Sequence, residues 1–173
     1  FRGFAAYWKV PADLPTADLP AGQWGWTDAH APLSVALTAG LHGLSNASLD
    51  TPWPKVTRLR ERMAQALAGA HDLPTLVALL FDALIDDHRA ADAALPATGL
   101  PLLLERALSS VFIRTDDGRY GTRCSTVLVR EHGGRTHLFE RTYASDDGLL
   151  SWVTLPAWPG TPAGGPVQRL DQR

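Results

Sequence analysis

The sequence predicts an α+β fold. Three features point there: a Gly133-Gly134 pair between two β-branched runs, proline-started stretches with apolar residues at helical spacing, and period-two alternation of aromatic and aliphatic residues before Gly40. Its 173 residues suffice for one domain, or for part of a larger one, with a core that needs no staples. The single cysteine leaves no internal bridge and no Cys-based metal cluster, the usage of a reducing compartment, so the cytoplasm is the expected location. Sixteen Lys+Arg against 18 Asp+Glu give a net charge of -2, too balanced for the basic face that nucleic-acid phosphates require. Apolar runs such as Leu76 to Phe81 fall far short of the ~20 residues of a membrane-spanning helix, and no charged-then-apolar leader precedes them, so the chain reads as soluble. It opens Phe1-Arg2-Gly3-Phe4 without Met, as a trimmed chain, a processed product or the ordered part of a longer protein does.

Phe4 to Val10 is aromatic and β-branched enough for a strand, and Pro11, Pro15 and Pro20 then enforce a surface loop. Trp24 and Trp26, then Leu33, Val35 and Leu37, mark two short strands, the second reaching as far as Leu41 to Ser45. Pro54 suits a first helical turn. Val56, Leu59, Met63 and Leu67 form one apolar face behind it, and Gly69 is the stop. Asp72 caps a second helix that has Pro74 in its first turn and is apolar enough to be mostly buried through Leu84. Asp86 to Thr98 lacks periodicity and reads as an exposed connection. Pro101 opens a third, shorter helix with Leu103, Leu104, Ala107 and Leu108 inward, and the chain is β from Val111 to Tyr143.

The hairpin joins Arg123 to Glu131 with Thr136 to Tyr143. A two-residue turn at Gly133-Gly134 sets Cys124 opposite Tyr143 and His137 opposite Arg130. Val127, Val129 and Leu138 then share one face, and Leu128 and Phe139 the other. A strand pair apolar on both faces belongs between layers. Residues 154–173 turn into Pro and Gly and read as an extended tail; no repeat or linker divides 1–173.

Asn46, in Gly43-Leu44-Ser45-Asn46 ahead of Asp50-Thr51-Pro52-Trp53-Pro54-Lys55, is the first candidate for chemistry. An asparagine amide at a strand end can donate to a developing negative oxygen; Ser-Asn before a turn is equally an ordinary side-chain-to-backbone turn. Arg114 and Arg123 lie at strand boundaries beside apolar residues, where a guanidinium either clamps a carboxylate or pairs with Asp116, Asp117 or Glu140. Cys124 has no activating base in this register and reads as a small buried strand residue. The six histidines lack zinc-ligand spacing, and Asp82, Asp86, Asp87, His88 and Asp92 read as a solvated face rather than a cation site. Lys55 reads as solvent-facing.

These motifs, with Leu108-Ser109-Ser110-Val111-Phe112-Ile113-Arg114, Tyr120-Gly121-Thr122-Arg123 and Glu140-Arg141, make the chain from Gly40 to Tyr143 resemble the NRDE family, also called the Transport and Golgi organisation protein 2 family. Upstream only Phe1-Arg2-Gly3-Phe4 is similar, and the proline-rich insert is atypical. The resemblance implies the C-terminal part of an N-terminal nucleophile hydrolase-like αββα sandwich, without the family's Met-Cys start or its Asn-Arg-Asp-Glu tetrapeptide. It implies Asn46, with Arg114 and Arg123, as site residues of an amide hydrolase whose nucleophile, a terminal cysteine, lies outside this chain. An α-amino group with a pKa near ~8 would be its base. The partners implied are an amide substrate or small-molecule ligand and the missing N-terminal segment. No resident cofactor is implied. The same cleft alternatively carries haem, lipid or acyl-CoA as cargo, and a structural subunit with a partner-covered sheet edge is a third reading. Ala, Pro and Leu richness points to a high-GC bacterial source.

Overall fold

A computed structural model describes residues 38–131 and 135–143 with their side chains, and the strands at 5–9, 24–28, 35–37, 150–155 and 168–170 by their backbone. The chain divides into two compact units, 1–60 and 61–173. The first holds a three-stranded antiparallel meander of β1 (Ala5–Lys9), β2 (Trp24–Asp28) and β3 (Val35–Leu37), with Tyr7 opposite Trp26 and Trp24 opposite Leu37. The expected upstream strands are therefore present, whereas the Pro11–Pro20 loop lies outside the described residues. Leu41 to Ser45 do not extend β3; they belong to a loop.

α1 (Pro54–Gly69) carries the boundary between the units and begins and ends where proline and glycine predict. Its buried residues are Val56 and Ala66, while Leu67 is 49 % exposed, so the apolar face runs through Ala66 rather than Leu67. In the second unit, α2 (Leu73–Leu84) is capped by Asp72, whose Oδ1 accepts from the Thr75 N–H at 2.7 Å. Val77, Phe81 and Ala83 are buried, but Leu79 reaches solvent, so this helix is amphipathic rather than mostly buried. A 3-10 turn (Asp92–Ala94) interrupts the exposed connection, and its Asp92 pairs with Arg106 of α3 (Leu102–Ala107). α3 buries only Ala107; Leu102, Leu103 and Leu104 are exposed, against the expectation that Leu103 and Leu104 point inward.

The stretch after α3 is not continuous β structure. Arg114 and Gly121 form an isolated antiparallel bridge around the turn at 115–120. A Cβ on Gly121 would stand 3.0 Å from the Ile113 carbonyl oxygen, which explains glycine there. The sheet proper is an antiparallel meander of β4 (Cys124–Arg130), β5 (Thr136–Thr142), β6 (Leu150–Leu155) and β7 (Gln168–Leu170). β7, an edge strand paired with β6, falls within the stretch read as a tail.

The hairpin of β4 and β5 is where expected, but its register is shifted by one. Cys124 faces Thr142 and His137 faces Val129. The Glu131 N–H donates to the Arg135 carbonyl at 2.9 Å, which leaves three residues, 132–134, between the strands in place of two; the turn itself lies outside the described residues. A one-residue slip changes which residues share a face. Ser125, Val127, Val129, His137, Phe139 and Arg141 now lie together, and Leu128 pairs with Leu138 on the other side. That other side is open along β4: Leu128 is 62 % exposed, so the strand pair is not apolar and covered on both faces. The covered face meets α2, where Val77, Phe81 and Val127 form the core and Leu73, Leu80, Leu84, Val129 and Phe139 pack around it.

Phe81 has only 1 % of its surface exposed. Phe81→Ala is expected to lower unfolding stability by about 3–5 kcal/mol, and Leu128→Ala by less than ~0.5 kcal/mol, in urea titrations of the whole chain.

Candidate functional site

The loop from Thr38 to Trp53 positions Asn46, and Asp50 closes it. The Asp50 N–H donates to the Gly43 carbonyl at 2.8 Å, and Asp50 Oδ1 accepts from the Gly43 N–H at 2.8 Å. Asp50 adopts φ 58°, a left-handed conformation that aspartate tolerates better than most residues. The Thr51 N–H and Oγ1 both donate to the Ser48 carbonyl, at 3.1 and 2.7 Å, and tighten the exit. At the neck, a Cβ on Gly43 would come within 2.6 Å of Val56 Cγ1 on α1, so only glycine fits without displacing a buried side chain. Asn46 sits inside this closure, exposed, and its amide makes no hydrogen bond among the described residues. It lies well beyond the end of β3 rather than at a strand end.

His42 supports the closure. Its Nδ1 is 2.7 Å from Asp50 Oδ2 and its Nε2 is 2.9 Å from the Thr38 carbonyl oxygen. Both partners are acceptors, so only the imidazolium donates to both at once. The Asp50 bond first, then the Thr38 bond, accordingly hold the His42 pKa above its ordinary value. Burial pushes the Asp50 carboxyl up, but the bonds from His42 and Gly43, with the charges of His42 and Arg60, outweigh it and hold the group below the usual carboxylate range. Arg60 Nη1 lies 3.5 Å from Asp50 Oδ1.

Beyond the loop, the Trp53 carbonyl accepts from the Val56 and Thr57 N–H groups at 2.9 and 3.0 Å as α1 starts. Lys55 is half-buried rather than solvent-facing; its ammonium is 5.8 Å from the centroid of the Trp53 ring, and burial pushes its pKa down.

Arg114 and Arg123 belong to the 61–173 unit and Asn46 to the 1–60 unit. Arg114 is exposed, with its guanidinium 5.7 Å from the centroid of the Phe112 ring. Two of the carboxylates expected to hold it are engaged elsewhere: Asp116 with Arg89 at 2.7 Å, and Asp117 with the Thr115 hydroxyl at 2.7 Å. Arg123 is also exposed, and its carbonyl accepts from the Tyr143 N–H at 2.8 Å. Neither guanidinium has an ion-pair partner among the described residues. Cys124 is exposed rather than buried, because strand alternation sets it with Leu128 on the open side of β4. The acidic group at 82–92 is dispersed over arginines: Arg62 takes Asp82 at 2.6 Å and Asp86 at 3.4 Å, while Arg106 takes Asp92. Among the described residues no three His, Cys, Asp or Glu side chains gather as a metal site.

Sequence reasoning missed His42, Asp50 and Arg141. The first two flank Asn46, and their eight-residue separation is legible only once the loop is known to close on itself. Arg141 emerges from the corrected strand register. Its guanidinium lies over Phe81 with Cζ 4.6 Å from the ring centroid.

The family model described as Transport and Golgi organisation 2 matches residues 20–145. The "Transport and Golgi organization protein 2 homolog" of Bos taurus is 36% identical over 120 residues, which cover 65% of this chain and 42% of that protein. The Homo sapiens protein of the same name is 32% identical over 130 residues, covering 71% of this chain and 45% of its own length. A Mus musculus homologue is likewise 32% identical over 130 residues. The chain thus spans less than half the length of these relatives.

The charges of the closure set its pH dependence. The raised His42 pKa gives a contribution that is complete below about pH 6.5 and is lost as pH climbs through the folded value; the lowered Asp50 pKa gives one present above about pH 3.9 and lost as pH falls through its own. Hydrogen-exchange protection of the Gly43 and Asp50 amides, corrected for intrinsic rate, is expected to decline as pH rises above about 6.5 through the raised His42 value. His42→Gln should abolish that slope. Flat protection in the unsubstituted chain would show that the imidazolium does not hold the loop.

Proposed function

From the premise that the chain belongs to the Transport and Golgi organisation 2 family, we propose that it forms the C-terminal part of an N-terminal nucleophile hydrolase-like αββα sandwich and supplies the hydrogen-bond donor of an amide-hydrolysing site. The observation that carries this reading is the state of Asn46. Its amide is exposed and unbonded among the described residues, yet its loop is held by two Gly43–Asp50 bonds and the His42 bridge. A donor that already has its bonds cannot serve a reacting oxygen, and a donor on a loose loop would have to be ordered at each turnover. Asn46 meets both requirements.

In this reading a nucleophile elsewhere in the whole protein attacks the substrate's amide carbon. The carbonyl π electrons move to the oxygen, to which the Asn46 N–H groups donate. On collapse the C–N bond breaks, the amine leaves with the proton the nucleophile gave up, and water then releases the acyl group from the nucleophile. The covered face of the β4–β5 pair against α2, with Leu128 open on the other side, fits one half of a layered sandwich. A second reading, binding and trafficking of haem, lipid or acyl-CoA without chemistry, draws on the exposed leucines of α3: Leu102, Leu103 and Leu104.

Amine release from a panel of acyl amides by the full-length protein tests the two. Asn46→Ala is expected to lower kcat about 10²-fold or more while leaving the thermal midpoint unchanged, since the side chain supports nothing in its own loop. Turnover unaltered by the substitution sinks the donor role. A full-length protein that releases no amine yet copurifies with haem or lipid establishes the carrier reading instead.

A further inference from the structure

Arg141 of β5 and Tyr143, the residue just past the strand's end, stand two positions apart, and the Tyr143 N–H still donates to the Arg123 carbonyl across the ladder at 2.8 Å, so the two side chains lie on one face. The guanidinium of Arg141 lies over the ring of Phe81. Tyr143 meets the ring of Phe112 edge-on at a centroid separation of 4.9 Å. Each carries a buried polar atom without a hydrogen-bond partner: Nε of Arg141 and the hydroxyl of Tyr143. Other arginines with comparable burial hold carboxylates, Arg62 on Asp82 and Asp86 and Arg106 on Asp92, but Arg141 has no ion-pair partner among the described residues. Its neighbour Glu140 cannot serve it, because strand alternation puts Glu140 on the other face, where it accepts from the Thr126 hydroxyl at 3.2 Å. Ser125, directly across the ladder from Arg141, is buried and adds a hydroxyl rather than a charge.

A buried guanidinium N–H and a buried phenol hydroxyl, each without a hydrogen-bond partner, are costly in a packed interface unless something completes them. The arrangement supplies one positive charge, a fork of N–H donors and an O–H donor, which match a single carboxylate; a phosphate dianion would leave charge unneutralised. We propose that Arg141 and Tyr143 form a binding site for a small monocarboxylate, with the guanidinium as the ionic partner and the phenol as the second donor. This inference goes beyond the amide-hydrolase reading and does not depend on Asn46, since every residue it uses lies in the 61–173 unit.

The test is titration of the whole chain with acetate, propionate and benzoate at constant ionic strength, with chloride and inorganic phosphate as controls, read by thermal midpoint and calorimetry. Saturable binding of at least one carboxylate at one site per chain, raising the midpoint above the chloride control, is expected. Arg141→Lys should weaken that binding about tenfold or more, because a lysine lacks the fork. Tyr143→Phe should weaken it roughly three- to tenfold while leaving the ligand-free midpoint unchanged or higher, because it deletes a hydroxyl that has no partner. Carboxylates that act no differently from chloride would make Arg141 a purely structural cation and overturn the proposal. Tighter binding of phosphate than of any carboxylate, or a lower ligand-free midpoint for Tyr143→Phe, would overturn it as well. If Arg141→Lys does not fold, the unsubstituted chain and Tyr143→Phe decide the matter alone.

Discussion

The burial of Phe81 is the constraint from which the rest of the 61–173 unit follows. One ring carries α2 onto the sheet, contacts Val77 and Val127 in the core, and offers its face to the guanidinium of Arg141. Full burial of such a side chain is worth roughly 1.5–3 kcal/mol, and the neighbours it orders add to that. Because the ring occupies the space between helix and strands, β4 and β5 must present small or apolar residues to it. Ser125, Val127 and Phe139 are what the ladder presents.

Around that core the charges are arranged by local pairing. Arg62 on α1 reaches Asp82 and Asp86 at the end of α2, and the Asp86 carbonyl accepts from the Phe112 N–H at 2.8 Å. This chain of bonds ties the segment after α3 to the end of α2, and with the Arg106 pair it spreads Asp82, Asp86 and Asp92 over two arginines. A run of aspartates in sequence becomes a set of separate partners when helices carry them to different arginines. The loop holding Asn46 uses the same economy in the 1–60 unit, where a single carboxylate, Asp50, accepts from a backbone N–H and a histidine and faces an arginine.

Much of the fold was legible residue by residue. Pro54 and Gly69 bound α1, Asp72 caps α2, and the strands around Trp24, Val35, Val127 and Phe139 are where their alternation puts them. The errors have specific causes. The Gly-Gly pair implied a two-residue turn, and one additional residue between the strands exchanged the faces of Leu138 and Phe139, which sets Leu138 beside the exposed Leu128 and Phe139 beside Val127. Leucines at helical spacing on α3 and at position 67 look inward by pattern, but a six-residue helix has too little length to bury three consecutive leucines. Of the candidate site, Asn46 was readable from its motif. Its support by His42 and Asp50 was not, because the bonds that close the loop join residues seven and eight positions apart with no periodicity to announce them.

What the sequence determined alone was the family, the helix limits, the strand order of the hairpin and the place of Asn46 ahead of a proline-started helix. Those follow from local chemistry: proline lacks an N–H, glycine tolerates positive φ, and strand side chains alternate. Which guanidinium buries an unpartnered N–H, which face of β4 is open and which histidine lies between two acceptors were decided only by the tertiary structure. Each of these is a question of whether an acceptor or an apolar surface from a distant part of the chain arrives at a given point, and a guanidinium or a leucine carries the same chemistry in sequence whether or not it does.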